Sequence, residues 1–168
     1  MFTPSGQLKI IDRRKNIFKL SQGEYIAPEK IENILMQSNF VSLAFVYGDS
    51  LQSALVAIIV PDEDFVINKW NNDRLTSTTA TQSFDELCKE THLNDDMLED
   101  LKQISKQNGL HGFEQVKAIY LEAEPFNVES GLVTPTFKLK RQQLREYYQN
   151  EINMLYEQIS STTIKSKL

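Results

Sequence analysis

The longest apolar run in the chain, residues 54–60, contains no polar residue and is followed by Pro61. Its length fits a β-strand, and because polar residues do not alternate with apolar ones, it predicts a strand buried on both faces. The apolar residues between Val41 and Tyr47 alternate, which predicts a neighbouring strand with one buried face. Residues 115–121 predict a third. The chain is therefore expected to form a small sheet around the 54–60 strand.

Helices are predicted on either side of this sheet. Pro28 suits the first turn of a helix with Ile31, Ile34 and Leu35 on its apolar face. Residues 83–86 have the form of a capping box, and Asn94 is expected to cap a further helix. A final helix is predicted from Arg141, and its apolar stripe consists of Leu144, Tyr148, Ile152, Leu155 and Ile159. The predicted fold is α+β: a small, mainly antiparallel sheet flanked by helices, preceded by a two-stranded hairpin in which residues 8–12 pair with 17–20.

Composition limits the functions that this chain can have. It has 168 residues, 40% hydrophobic and 24% charged, which is ordinary for one globular domain. The net charge of −5 argues against a nucleic-acid partner or an anionic membrane surface. Cys88 is the only cysteine, so neither an intrachain disulfide nor a cysteine-based metal site is possible. No metal site is predicted.

Two charged segments are candidates for chemistry. Residues 12–15, Asp-Arg-Arg-Lys, follow one predicted strand and precede another, so they lie at a bend. Lys138, Lys140 and Arg141 lie on a loop before the last helix. Taken alone, the first segment is more simply a charged turn and the second a solvated basic patch.

The wider sequence around both segments changes that interpretation. The string Gly6-x-Leu8-x-Ile10-x-Asp12-Arg13-x-Lys15, followed by Gly23-Glu24-Tyr25-Ile26 and Pro28-x-x-Ile31-Glu32, resembles the linker and following loop of long-chain fatty-acid–CoA ligases. Gly131-Leu-Val-Thr-Pro-Thr-Phe-Lys-Leu-Lys-Arg141 is similar to the last core motif of the same enzymes. The resemblance covers nearly the whole chain. It identifies a C-terminal domain of the adenylate-forming superfamily.

For the first segment, the resemblance implies that Asp12 is the hinge about which a small domain rotates. Arg13 would bind the nucleotide, and Lys15 would meet either the nucleotide or a carboxylate on a large domain. The loop of Gly23, Glu24 and Tyr25 would line the tunnel for the pantetheine arm of coenzyme A. Gly23 also has a purely structural explanation, because a tight turn favours glycine.

For the second segment, the wider superfamily motif reads Ser-Gly-Lys-Ile-x-Arg. Alignment with it places Phe137 at the glycine, Lys138 at the catalytic lysine and Arg141 at the arginine, and phenylalanine at the glycine position is usual in the long-chain branch. A lysine suits adenylation because its ammonium can orient the attacking carboxylate and the α-phosphate. If residues 137–140 are extended, Lys138 and Lys140 share one face. Only the motif then separates them, with Lys140 and Arg141 as supporting cations.

The resemblance also implies a division of the chain and its partners. Residues 1–12 would end the inter-domain linker, 13–159 would form the C-terminal domain and 160–168 a flexible tail. The partners would be a large N-terminal domain, ATP with Mg²⁺ held by that domain, coenzyme A and a long-chain fatty acid. The isolated chain would then be inactive. The alternatives are a ligase for another carboxylate, or a non-catalytic binding module with the same fold.

The final residues, Ser166-Lys167-Leu168, match the peroxisomal import signal. They predict a peroxisomal protein that binds an import receptor, provided that Leu168 is the native end. Otherwise a cytoplasmic or membrane-associated location is expected.

Overall fold

A computed structural model describes residues 12, 15–72 and 82–165, with side chains up to Ser161. The fold is α+β, as predicted: a two-stranded hairpin precedes a three-stranded sheet with helices on both faces. Strands β1 (Phe18–Lys19) and β2 (Tyr25–Ile26) form the hairpin. Strands β3 (Val41–Tyr47), β4 (Leu55–Pro61) and β5 (Val116–Leu121) form the sheet.

The three-stranded sheet, predicted to be mainly antiparallel, has one antiparallel and one parallel pair. Pairs β1/β2 and β3/β4 are antiparallel, whereas β4/β5 is parallel. The parallel pair follows from the helices that connect β4 to β5, because parallel neighbours need a crossover. In the hairpin that the structure describes, Phe18 pairs with Ile26. Residues 8–11, most of the segment predicted to pair with residues 17–20, lie outside the described residues, so that pairing stays a prediction.

The central strand β4 is buried along its whole length, as its uninterrupted apolar sequence predicts. Its side chains alternate between two cores. Leu55, Ala57 and Ile59 face the first core. Val56, Ile58 and Val60 face the second.

The first core is closed by α1 (Pro28–Leu35) and by the helix that we number α4 (Thr91–Gln107). Between them lie the short α2 (Glu63–Phe65), which continues as a π-helix over Val66–Asn71, and α3 (Phe84–Leu87). Helix α3 begins with the predicted capping box between Ser83 and Glu86. Residues 73–81 are outside the described residues.

The second core is closed by α5 (Arg141–Tyr147) and α6 (Gln149–Lys165). A single helix was predicted here, but the helix is interrupted at Tyr148, which has φ −96° and ψ 23°. The Tyr148 side chain remains in the core, and its hydroxyl donates to Glu122 Oε2 at 3.0 Å. Helix α6 reaches Lys165, so residues 160–165, expected as part of a flexible tail, are helical.

The prediction that Asn94 caps a helix is wrong. Helix α4 begins one turn earlier, at Thr91, and Glu90 holds the cap position. The Asn94 side chain instead donates to the carbonyl oxygen of Ile119 at 3.0 Å, which ties the helix to strand β5. Within the described ranges, no helix is long and apolar enough to cross a bilayer.

Candidate functional site

Lys138 lies on a tight loop between β5 and α5, which we call the lysine loop (residues 132–141). Val133 and Leu139 form an isolated antiparallel bridge across its base. Thr134 N donates to the carbonyl oxygen of Lys138 at 2.9 Å, and Phe137 N donates to that of Thr134 at 2.8 Å. The backbone therefore holds Lys138 at the closing position of a turn rather than in an extended segment.

The backbone conformation of Phe137 accounts for the glycine at the same position of the superfamily motif. Its φ is +55°, in the left-handed region that favours glycine, and it is the only non-glycine residue with positive φ in the described part of the chain. Its ring is 76% exposed. The hydroxyl of Thr134 accepts from Lys138 N at 3.1 Å and lies 3.0 Å from the hydroxyl of Thr136. These polar contacts support the turn from within.

The two lysines of the loop differ in environment. Lys138 is exposed, whereas Lys140 is half-buried. Lys140 occupies the position before the first residue of α5, and its N–H donates to the carbonyl oxygen of Leu132 at 2.9 Å. Neither ammonium has a hydrogen-bond or ion-pair partner among the described residues. Lys138 is therefore distinguished from Lys140 by its greater exposure and by its place on the turn.

Arg141 is bound within the domain instead of facing outward. Its guanidinium forms an ion pair with Glu32 of α1 and donates to the carbonyl oxygen of Val46 at 3.3 Å. It also lies over the Phe45 ring, with 5.7 Å between Cζ and the ring centroid. Arg141 therefore fastens the end of the lysine loop to α1 and β3.

Glu32 is the main site residue that the sequence reasoning missed. It is 4% exposed, and its second carboxylate oxygen accepts from Val46 N at 2.8 Å. Burial raises the pKa of Glu32 to about 7, although Arg141 opposes the shift. A signal was present: Pro28, Ile31, Glu32 and Leu35 fall at the spacing of one buried helical face. A carboxylate on such a face requires a partner.

Asp12, the predicted hinge, is attached to the same helix. Its Oδ2 accepts from Glu29 N at 2.8 Å, at the N-terminus of α1, where the residue before the helix, Ala27, provides no side-chain cap. Asn16 donates to Asp12 Oδ1 at 3.2 Å and to Glu29 Oε1 at 2.8 Å. Asp12 therefore supplies the cap of α1 from 17 residues upstream.

A groove of about 810 Å³ brings several predicted residues together. Its lining includes Lys15, Phe137, Lys138, Lys140 and Arg141. Lys15 is exposed at its edge. Arg13, the predicted nucleotide ligand, lies outside the described residues. The groove thus combines cations from both charged segments of the sequence, which is suited to an anionic ligand.

The predicted coenzyme A loop lies elsewhere. Gly23, Glu24 and Tyr25 are absent from the lining of this groove. Gly23 has φ +96°, and its N–H donates to the carbonyl oxygen of Leu20 at 2.9 Å. An added Cβ would lie 3.7 Å from Lys19 Cε, an ordinary contact, so the turn conformation and not crowding requires glycine here.

The neighbourhood of this turn supports it from two sides. Leu20 N donates to the carbonyl oxygen of Glu24 at 2.9 Å, and Ser21 N donates to that of Gln52 at 3.1 Å. The Lys19 ammonium lies 5.6 Å from the centroid of the Tyr25 ring, which is 70% exposed. We call this segment (residues 20–25) the glycine loop.

Comparison with curated proteins gives strong matches, although no family model matches the chain. It is 49% identical over 156 residues to long-chain-fatty-acid–CoA ligase 5 of Mus musculus, covering 93% of this chain. It is 50% identical over 156 residues to long-chain-fatty-acid–CoA ligase 1 of Homo sapiens, again over 93% of the chain. The chain belongs to the long-chain-fatty-acid–CoA ligase family. The chain spans about 22% of the length of these two relatives and corresponds to a C-terminal domain.

Solved structures agree with this family assignment. The adenylation domain of a carboxylate reductase from Mycobacterium chelonae superposes with a TM-score of 0.73 at 32% identity, over 90% of this chain and 21% of that one. The A-PCP didomain of a carboxylic acid reductase from Segniliparus rugosus, in complex with AMP, also gives 0.73, at 25% identity, over 98% of this chain and 22% of that one. The ligase domain therefore has the fold of adenylate-forming enzymes.

Proposed function

We propose that this chain is the mobile C-terminal domain of a ligase that converts a long-chain fatty acid, ATP and coenzyme A into acyl-CoA, AMP and pyrophosphate. The observation that carries the proposal is that the sequence is about half identical to fatty-acid–CoA ligases. The setting of Lys138 supports it, because this exposed lysine has no described partner and lies on a hydrogen-bonded turn in a groove that is also lined by Lys15 and Lys140.

Lys138 is proposed as the catalytic lysine of adenylation. In that step the fatty-acid carboxylate attacks the α-phosphate, one P–O bond forms, and the bond to pyrophosphate breaks. Two anions approach each other, so an ammonium that bonds to both lowers the barrier by orientation and charge stabilisation. The tight loop limits the positions that the Lys138 backbone can take.

The remaining groove residues take separate roles. Lys140 and Lys15 contribute positive charge, and Arg13 is proposed as a nucleotide ligand on the strength of the family motif. Arg141 was expected as a supporting cation for the ligand. Its bonds to Glu32 and Val46 favour a role in holding the lysine loop instead.

The glycine loop is proposed to serve thioester formation, in which the coenzyme A thiolate displaces AMP from the acyl-adenylate. A left-handed glycine lets a backbone come close to a ligand without a side chain in between. The two loops would exchange places at one active site as the domain rotates about Asp12.

The rest of the site belongs to the proposed large N-terminal domain. That domain would bind the fatty acid, and its carboxylates would hold the Mg²⁺ of ATP, which neutralises charge on the phosphates. The described residues of this chain contain no group of three or more His, Cys, Asp or Glu side chains that could hold a metal ion.

Peroxisomal import is a further proposal. It is supported by Ser166-Lys167-Leu168, which lie outside the described residues, and by a relative named long chain acyl-CoA synthetase 6, peroxisomal, from Arabidopsis thaliana, 44% identical over 96% of this chain and 22% of that protein. A fluorescent protein followed by residues 160–168 should enter peroxisomes, whereas the same fusion without the last three residues should remain outside them.

The activity is tested with the whole ligase that contains this domain. Acyl-CoA formation should be fastest with acids of long chain in a panel from acetate to arachidate, and the purified 168-residue chain should form none. Preference for an aromatic or short acid would favour another ligase of the superfamily. Absence of adenylation with every acid would favour a binding module.

A further inference from the structure

We propose that Glu32 is a positioning residue for Lys138: it fastens the lysine loop to the helix that Asp12 caps, so that the hinge residue and the catalytic lysine move as one body. This inference rests on the proposed function. It assigns a role in adenylation to a residue that is 4% exposed and whose carboxylate oxygens are both bonded within the domain.

The contact between Glu32 and the lysine loop is a closed ring of polar bonds. One carboxylate oxygen of Glu32 accepts from Val46 N at 2.8 Å, and the other accepts from the Arg141 guanidinium. Arg141 returns to the same residue of β3, donating to the Val46 carbonyl oxygen at 3.3 Å. Because every member has two partners within the ring, removal of the carboxylate releases the guanidinium and leaves a buried N–H unpaired.

Arg141 lies three residues after Lys138, and backbone hydrogen bonds hold the segment between them. Lys140 N is bonded to the Leu132 carbonyl oxygen, and Thr134 N is bonded to that of Lys138, so the backbone between Arg141 and Lys138 is fastened at two points. Exposed Lys138 makes no described side-chain contact of its own. The position of Lys138 is therefore set by the backbone of the lysine loop, and Arg141 holds the C-terminal end of that loop.

The same helix is attached to the hinge at its other end. Asp12 Oδ2 accepts from Glu29 N, three residues before Glu32, which is about one helical turn away. Asn16 bonds both carboxylates, Asp12 and Glu29. A single turn of helix thus separates the hinge contact from the lysine-loop contact.

A matched control is present on the same helix. Lys30 of α1 forms an ion pair with Glu114 at 2.6 Å, and the Glu114 side chain is 8% exposed, compared with 5% for Glu32. Glu114 lies before β5 and has no described bond to the lysine loop. Loss of its charge should weaken the fold without disturbing Lys138.

The test compares Glu32→Gln with Glu114→Gln in the whole ligase. Glutamine at position 32 can still accept from Val46 N, but its amide no longer attracts Arg141. We expect fatty-acid-dependent ATP–pyrophosphate exchange to fall about 10- to 100-fold, while thioester formation from supplied acyl-adenylate changes less than about threefold. Glu114→Gln should shift the melting temperature and leave the ratio of the two half-reactions unchanged.

A second variant keeps the inference testable when Glu32→Gln does not fold. Arg141→Lys retains the positive charge but not the fork that reaches both Glu32 and Val46. Arg141→Lys should lower ATP–pyrophosphate exchange more than thioester formation, as Glu32→Gln does. The variant that combines both substitutions should lose no more exchange activity than the more severe single variant. Equal losses in both half-reactions, or the same imbalance in Glu114→Gln, would overturn the inference.

Lys138→Ala, assayed alongside, distinguishes a failure of the proposed role of Lys138 from a failure of the proposed role of Glu32. If it leaves exchange intact, the proposed function of the lysine loop is wrong. If it abolishes exchange while Glu32→Gln does not reduce it, only the role of Glu32 is wrong.

Discussion

The lysine loop and the glycine loop both turn at a residue of positive φ, but they expose different groups. Each turns through a residue of positive φ, +55° at Phe137 and +96° at Gly23. In the lysine loop a side chain stands at that position, a lysine follows it, and a buried ion pair anchors the loop. In the glycine loop there is no side chain at the turn, and the described polar contacts that fasten it are made mainly by the backbone.

This difference indicates what each loop offers to a substrate. The lysine loop presents a charged group at a fixed position, which suits a step that brings anions together. The glycine loop presents bare backbone, which suits a narrow passage for an uncharged chain such as pantetheine.

The strongest contrast should lie within the lysine loop. In the whole ligase, Lys138→Ala should lower ATP–pyrophosphate exchange by about 10² or more, the scale of a lost transition-state contact. Lys140→Ala should lower it less than about tenfold, because Lys140 is half-buried at the start of α5 and only adds to the local field. The reverse order in steady-state exchange assays would assign catalysis to Lys140.

The anchor of the lysine loop should make stability depend on pH. Because burial raises the pKa of Glu32 from 4.5 to about 7, the folded chain holds a proton that the unfolded chain releases. Stability should therefore fall as pH rises from about 4.5 to about 7, by at most on the order of 3 kcal/mol. Glu32→Gln removes this slope.

Urea denaturation of the wild-type and Glu32→Gln chains at pH 4.5, 6 and 7.5 measures it. The difference in unfolding free energy, wild type minus variant, should decrease with pH and then level off. A difference that increases with pH would mean that Arg141 lowers the pKa of Glu32 more than burial raises it.

Packing of Phe18 against Gly48 holds the strand that leads into the glycine loop. A Cβ at Gly48 would clash with Phe18 Cε2 and approach Leu55 Cδ2 to 2.7 Å, so Gly48→Ala must displace these side chains, and Phe18 belongs to the strand that leads into the glycine loop. We expect a loss of about 1–3 kcal/mol in unfolding free energy. Gly112→Ala, where φ is not in the left-handed region and the Cβ meets nothing within 4 Å, is the comparison without crowding. Equal losses in the two variants would show that crowding at Gly48 is relieved without cost.

The smallest effects should have opposite signs at the two turns. Phe137→Gly should raise the unfolding free energy by up to about 1 kcal/mol, because it removes left-handed strain from an exposed residue. Gly23→Ala should lower it by about 1 kcal/mol for the same reason. Thermal denaturation of both variants checks the signs; a stabilised Gly23→Ala chain would contradict the assignment of strain.

Much of the fold could be predicted because its signals are local. The unbroken apolar run of β4, the alternation in β3 and the capping box at Ser83 each specify one element and need no distant partner. The pairing of β1 with β2 was not predictable in this way, because two-residue strands carry no periodicity. Asn94 was misassigned because its partner, Ile119, is 25 residues away.

The residues of the candidate site also differ in whether a local sequence motif identifies them. Lys138 and Gly23 were predicted because each lies in a contiguous motif. The ion pair between Glu32 and Arg141 joins residues 109 positions apart, and sequence spacing carries no information about such a contact. The buried helical face around Glu32 shows that a partner was required, but only the fold shows which residue it is.

The most direct test of the two-loop account crosses two variants with two half-reactions. In the whole ligase, Lys138→Ala and Gly23→Ala are each assayed for ATP–pyrophosphate exchange and for thioester formation from supplied acyl-adenylate. The account predicts a double dissociation: Lys138→Ala loses exchange and retains thioester formation, and Gly23→Ala does the opposite. If either variant lowers both half-reactions by the same factor, the two loops do not serve separate steps, and the central claim is contradicted.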